Sequence, residues 1–149
     1  MSDEAGEYRV ELRGTDLKSG VLTSPDDLPL LWVSSPPQFG GPARTWSPEH
    51  LFVASLASCL MTTFRSIAES SGMEIVDYTD SASGTLARGE DRLYRMSEVT
   101  LRPRVVIADA AKTDRALRLL DKAERACLIS RSVNSTIRVE PQVLVAEPV

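Results

Sequence analysis

The sequence predicts an α+β fold, and three observations carry that expectation. Short stretches of β-type patterning open and close the chain. One long apolar stretch, SPEHLFVASLASCLMTTF at 47–64, runs through the middle at helical length. After it come two long β-type segments, an amphipathic helical pattern and a last strand, rather than a regular alternation of strand and helix.

Taken in order, Tyr8 to Leu12 alternates polar and apolar residues and reads as a strand. GTDLKSG (14–20) is rich in turn formers, and Val21–Thr23 and Pro29–Ser34 read as two further short strands. SSPPQFGGPARTW (34–46) is a loop, because its prolines and glycines continue neither a helix nor a central strand. A helix is expected at about 48–71. Ser47 suits the N-cap, Pro48 the first helical position and Glu49 the positive end of the helix dipole, and Gly72 is a stop signal. Leu51 to Ala68 is apolar nearly all round, which predicts a buried helix.

Residues 74–87 and 92–107 read as the two long strands of a hairpin around RGED (88–91). Pro103 demands an edge position, a bulge or a break in the second. Asp109 starts a second helix that runs to about Leu128, with Leu117, Leu120 and Cys127 on one stripe. Thr136 to Val145 closes the chain as a strand interrupted by Pro141. We read a single domain over residues 1–149, with 1–7 a loosely held N-terminus.

Composition narrows the function classes. Apolar residues at 42% and charged residues at 26% are ordinary for a soluble globular protein. A net charge of −4 without a basic block argues against nucleic acid or an anionic membrane as main partner. No apolar run approaches the roughly 20 residues of a membrane span, and the acidic start MSDEAGEYRV is not a signal peptide. A cytoplasmic location is expected, where thiols stay reduced and two cysteines are free or catalytic rather than structurally bridged. One histidine and two distant cysteines do not make an ordinary Cys/His zinc site.

The central helix is more apolar than one face of a small sheet covers, since Leu51, Phe52, Val53, Leu56, Leu60, Met61, Phe64 and Ile67 point in several directions. Either a second copy covers it, giving a homodimer with this helix at its centre, or the two helices of one chain pack on each other. The cysteines also leave two readings open. Cys59 and Cys127 are small apolar core residues, or they are a working thiol pair. A reactive thiolate needs a nearby cation, helix N-terminus or hydrogen-bond donor. Cys59 is mid-helix, so its activation is expected from other segments. Ser55, Ser58, Thr62 and Thr63 are expected to bond to carbonyls within the helix. His50 is expected to be structural, and neither a G-x-S-x-G elbow nor a phosphate-binding glycine fingerprint is present.

SPEHLFVASLASCL resembles the first cysteine motif of the OsmC/Ohr family (osmotically induced protein C and organic hydroperoxide resistance protein), in which Pro-Glu and Leu-Phe precede small residues leading to Cys. CLIS at 127–130 resembles the second, with Leu128 where the family usually has proline. The resemblance runs from about Tyr8 to Val145. It implies an intertwined α+β homodimer, two central helices wrapped by antiparallel sheets, with active sites at the dimer interface.

It further implies a metal-free, haem-free thiol peroxidase without a bound cofactor. Cys59 attacks an organic hydroperoxide, Cys127 condenses with the resulting sulfenic acid, and an external dithiol, lipoyl groups in several relatives, resets the disulfide. The same resemblance places Glu49 at the carboxylate that orients a catalytic arginine. On a helix Glu49 and Cys59 lie about 15 Å apart along the axis, so Glu49 serves a thiol most simply from the partner subunit. In relatives the arginine stands in an Arg-x-Gly turn between the first two strands. Here Lys18-Ser19-Gly20 falls there, and lysine lacks the planar two-pronged grip of a guanidinium. Arg13 and Arg44 are the substitutes from neighbouring segments, and Arg131 follows Cys127 closely. Two other functions fit the same residues: a non-catalytic binder of apolar small molecules, and a dithiol redox sensor with slow peroxide turnover.

Overall fold

The structure, a computed structural model, describes residues 5–148. The chain falls into two compact units, one up to Leu51 and one from Phe52 onward. In the first, β1 (Glu11–Gly14), β2 (Ser19–Thr23) and β3 (Leu31–Ser34) form an antiparallel sheet in that order. The first strand starts later than its alternation suggests. Glu11 already pairs with Thr23, the end of β2, so residues before it have no ladder to join. They are held by side chains instead: Arg9 pairs with Asp26 at 2.8 Å, and Ser24 Oγ donates to the Arg9 carbonyl. Likewise Leu31 opens β3 opposite Leu22, leaving Pro29 and Leu30 outside.

The Pro/Gly segment is the expected loop, containing one short 3-10 turn at Pro37–Phe39. Gly40 closes that turn at φ 85°, and a side chain at Gly41 would strike the Ser35 carbonyl. A hydrogen bond from the Ser34 N–H to the Trp46 carbonyl returns the chain to β3. Ser47 then caps α1 (Pro48–Ser70), accepting from the His50 N–H.

In the second unit α1 ends in a Schellman motif. The Met73 N–H reaches the Ala68 carbonyl, the Gly72 N–H reaches Glu69, and Gly72 takes φ 67°. Within the single chain the helix is buried along one stripe and not all round. The residues fully buried on α1 are Leu56, Leu60, Phe64 and Ala68, one stripe at four-residue spacing. The flanks, including Phe52, Val53, Ala57 and Ile67, are half-buried because the sheets reach one side of the helix. At 23 residues α1 is also long and apolar enough, by length and composition, to cross a membrane, which revises the expectation that no segment would qualify.

The two long strands are each broken once, giving β4 (Ile75–Asp80), β5 (Ser83–Arg88), β6 (Tyr94–Leu101) and β7 (Pro103–Ile107). The last strand breaks too, into β8 (Thr136–Val139) and β9 (Gln142–Val145). Two three-stranded sheets result, in the orders β4-β7-β9 and β5-β6-β8. They are mixed, not purely antiparallel: β4 and β5 pair antiparallel with β7 and β6, whereas β8 and β9 run parallel to β6 and β7. The crossover through the second helix brings the chain back in the same direction, which a hairpin cannot do.

Arg102 spans the breaks. Its N–H donates to Asp80 Oδ1 at 2.7 Å, and its guanidinium donates to the Ser81 carbonyl and Ser83 Oγ and pairs with Glu140 at 3.6 Å. Pro103, which has no N–H to give a ladder, starts β7 at the break.

Asp109 caps a 3-10 turn at Ala110–Lys112 by accepting from the Ala111 N–H, and α2 proper is Thr113–Ala126. Its buried stripe is Ala116, Leu120 and Ala123, leading to buried Cys127. Leu117 lies off that stripe and is exposed, because a seven-residue step back from Cys127 reaches Leu120 and the next four-residue step reaches Ala116. The core of this unit joins both helix stripes to Val99, Leu101, Val105 and Ile107 of the sheets.

Phe64 is fully buried in that core and stacks at a tilt on Tyr78, with ring centroids 5.8 Å apart. Phe64→Ala should cost about 3–5 kcal/mol in urea unfolding. Asp80 gives a pH-dependent test. Burial raises its carboxyl above the ordinary range, with the Arg102 N–H and guanidinium only partly offsetting it, and Oδ2 is buried without a hydrogen-bond partner. A carboxyl raised on folding favours the native state when protonated, and that advantage fades as pH rises through its folded pKa. Asp80→Asn, which keeps an acceptor for the Arg102 N–H, should therefore unfold at higher denaturant than the parent at pH 7. The gain should vanish near pH 3.

Candidate active site

Packing of α1 and α2 into one core sets Cys59 beside Cys127. Cys59 lies one residue before Leu60 on the flank of the buried stripe and is half-buried. Cys127 follows the last turn of α2, is fully buried, and has extended backbone geometry (φ −62°, ψ 112°). Both are free thiols, and each acts on the ionisation of the other.

Their environments push them apart. Burial works against ionisation of Cys59. The Cys127 thiol, the Ile129 N–H, the Thr63 hydroxyl and the Leu128 N–H together outweigh it and hold the Cys59 thiol below its ordinary value. Cys127 is shifted the other way. Burial pushes it up, and so does the neighbouring Cys59 sulfur, against partial relief from Ser130. Of the two, Cys59 is therefore the more readily ionised and Cys127 the less. No charged side chain is among the groups acting on Cys59, and part of its stabilisation comes from its own helix through Thr63, which revises the expectation of help from other segments alone.

Thr63 is the residue that sequence reading misplaced. Ser55, Ser58 and Thr62 donate to helix carbonyls as expected, at Phe52, Ala54 and Cys59 respectively. The Thr63 hydroxyl instead lies 3.9 Å from Cys59 Sγ. The signal was present in the four-residue spacing, which stacks two side chains on one helix face. The Leu128 and Ile129 amides had no such signal, apart from the absence of a proline after Cys127.

In the same unit, a cleft of about 550 Å³ is walled by Phe52, Met96 and Val133 on the apolar side and by Arg131, Ser132 and Asn134 on the polar side, and neither cysteine lines it. Phe52 precedes Cys59 by two helical turns on the same face of α1. Arg131 is exposed on the short turn after Cys127.

The remaining sequence candidates belong to the first unit. Glu49 is half-buried, its Oε2 is buried without a hydrogen-bond partner, and among the described residues it forms no ion pair. Lys18 is engaged elsewhere, its Nζ donating to the Phe39 carbonyl at 2.9 Å. Arg13 is exposed on β1 opposite Val21, and Arg44 is exposed in the loop at φ 65°. Within this unit, then, no cation meets Glu49 among the described residues. His50 is structural, with Nδ1 2.6 Å from the Ser47 hydroxyl that caps the helix.

A three-stranded N-terminal sheet, one long helix and two free cysteines, one on that helix and one at the end of the second, are consistent with an OsmC-like protein. Residues 41–142 match the family model described as OsmC-like protein, and the chain belongs to that family. It is 28% identical over 111 residues to YmaD of Bacillus subtilis (strain 168), described as uncharacterized, covering 72% of this chain and 73% of that one. Among solved structures it is similar to an OsmC-like protein of unknown function from Vibrio cholerae, with a TM-score of 0.83, 23% identity, and coverage of 92% of this chain and 99% of that one. It is also similar to an organic hydroperoxide resistance protein from Elizabethkingia anophelis, with a TM-score of 0.76, 18% identity, and coverage of 97% of this chain and all (100%) of that one. At these identities the structural likeness shows the fold.

The opposed shifts predict site-selective chemistry. With limiting iodoacetamide at pH 7, alkylation should fall on Cys59 well before Cys127, as read by peptide mass spectrometry. Denaturant should abolish the difference.

Proposed function

We propose that this protein is a cysteine-based, metal-free peroxidase that reduces organic hydroperoxides in oxidative-stress defence. One observation carries the reading: Cys59 and Cys127 are reduced, adjacent and oppositely biased, one toward thiolate and one toward thiol. Membership of the OsmC-like family and the fold shared with a protein named for organic hydroperoxide resistance support it.

In the first step the Cys59 thiolate attacks the hydroperoxide O–O bond. One oxygen stays on sulfur as sulfenic acid, and the other leaves as alkoxide and takes a proton to become the alcohol. In the second, the Cys127 sulfur displaces water from Cys59–SOH and the disulfide forms, the Cys127 proton leaving with the hydroxyl. An external dithiol, of the lipoyl type in this proposal, returns both thiols by exchange and is itself oxidised to a disulfide. No bound cofactor or metal takes part. The apolar wall of Phe52, Met96 and Val133 suits an organic chain better than hydrogen peroxide.

The working unit in this reading is a cytoplasmic homodimer built around α1, whose flanks a single chain leaves half-covered. Its partners are hydroperoxide and dithiol, with no nucleic acid or membrane. Glu49 serves the thiol of the partner subunit, and its unpartnered Oε2 receives a cation there, from Lys18 or Arg13.

Stopped-flow oxidation of the reduced protein tests this, with cumene hydroperoxide and hydrogen peroxide compared. Cumene hydroperoxide should react at least roughly tenfold faster and yield a 59–127 disulfide. Cys59→Ser should abolish the reaction. Cys127→Ser should keep the first oxidation and accumulate a sulfenic acid that dimedone traps. A slow reaction, equal for both peroxides and leaving both thiols free, would sink the peroxidase reading in favour of a binding role.

A further inference from the structure

Four hydroxyl-bearing side chains sit near the middle of α1, and they divide by what they touch. Ser55, Ser58 and Thr62 return their hydrogen bonds to helix carbonyls, the ordinary fate of such residues in a helix interior. Thr63 lies one turn beyond Cys59 and is half-buried. Among the described residues its hydroxyl meets the Cys59 sulfur, at 3.9 Å, and no helix carbonyl. Its position is fixed independently of that contact, because Phe64, the next residue, is fully buried in the core.

From this geometry we propose that Thr63 is a positioning residue for Cys59, its hydroxyl donating to the thiolate and holding the sulfur toward the turn at 127–129. The inference rests on the peroxidase reading for its role in turnover, but not for the contact itself. A thiolate offers only acceptor lone pairs, so a hydroxyl one turn away points its proton at the sulfur once the thiol ionises. The same contact orients the sulfur between Thr63 on one side and the Cys127 turn on the other. The effect on ionisation runs in the same direction, Thr63 being among the groups that lower the Cys59 thiol. The Tyr78 hydroxyl, raised by burial, interacts with Cys127 and also with Asp80 and Arg65; no carboxylate is among the groups that act on Cys59 directly.

Thr63→Val keeps the shape and removes the donor, and Thr63→Ser restores a donor. The measurement is the pH dependence of iodoacetamide alkylation at Cys59, followed by mass spectrometry, beside stopped-flow oxidation by cumene hydroperoxide. Thr63→Val should slow alkylation at pH 7 by roughly three- to tenfold while leaving the high-pH plateau rate unchanged, and Thr63→Ser should recover most of the loss. A merely structural role would change thermal unfolding without moving the pH midpoint. An unshifted midpoint in Thr63→Val overturns the inference and leaves the peroxidase reading standing if the parent protein consumes peroxide. A shifted midpoint in a protein that consumes no peroxide keeps the Thr63 contact and overturns the peroxidase reading instead.

Discussion

Leu56, Leu60, Phe64 and Ala68 form the stripe of α1 that is fully buried, and their spacing fixes the rotation of the helix about its axis. Much in the C-terminal unit depends on that rotation. Cys59 and Thr63 each immediately precede a stripe residue, Leu60 and Phe64, so both fall on the same flank at one-turn separation. The stripe of α2, Ala116, Leu120 and Ala123, enters the same core and carries Cys127 in with it. The meeting of the two sulfurs is thus a product of apolar packing. No covalent link, metal or ion pair is needed to bring them together.

The electrostatics of the pair follow from what surrounds it. A buried thiolate is unfavourable unless donors replace the water it has lost. Here the donors acting on it are neutral: two backbone amides of the turn after Cys127, one hydroxyl and the partner thiol. Neutral donors of this kind are held by the backbone and by packing, so they need little reorganisation when charge appears on sulfur. The same arrangement penalises Cys127, which gives its proton to the shared hydrogen bond and is the more buried of the two. In the first unit Glu49 is a half-buried carboxylate with one oxygen left without a partner among the described residues.

Much of this was legible in the sequence, for identifiable reasons. The helix at 48–70 was readable almost to the residue because Ser47, Pro48 and Gly72 mark its ends by local chemistry. The family was readable because both cysteine motifs survive with their flanks. Nonlocal features were not readable. The breaks at Ser81, Arg102 and Glu140 align only once three distant segments are side by side; Pro103 and Pro141 announced two of the three, and their alignment was not readable. Parallel pairing of β8 and β9 depends on where α2 returns the chain, which periodicity does not encode. Leu117 was placed on the wrong stripe because leucine outweighs alanine in any apolar count, while the tight approach of α2 selects Ala116 and Ala123. The donors to Cys59 were hidden because amides carry no residue identity.

That anonymity gives Leu128 an unusual standing. Its side chain is 64% exposed, and by that measure the position is free to vary. Its N–H, however, is one of the groups that lower the Cys59 thiol. The contribution of this position to the pair runs through its main-chain proton and not through its side chain, and proline, the residue the family usually has here, would lack that proton. In this chain, then, a Leu128→Pro change would withdraw one donor from a thiol 69 positions away, whereas a change of side chain alone would leave that donor in place.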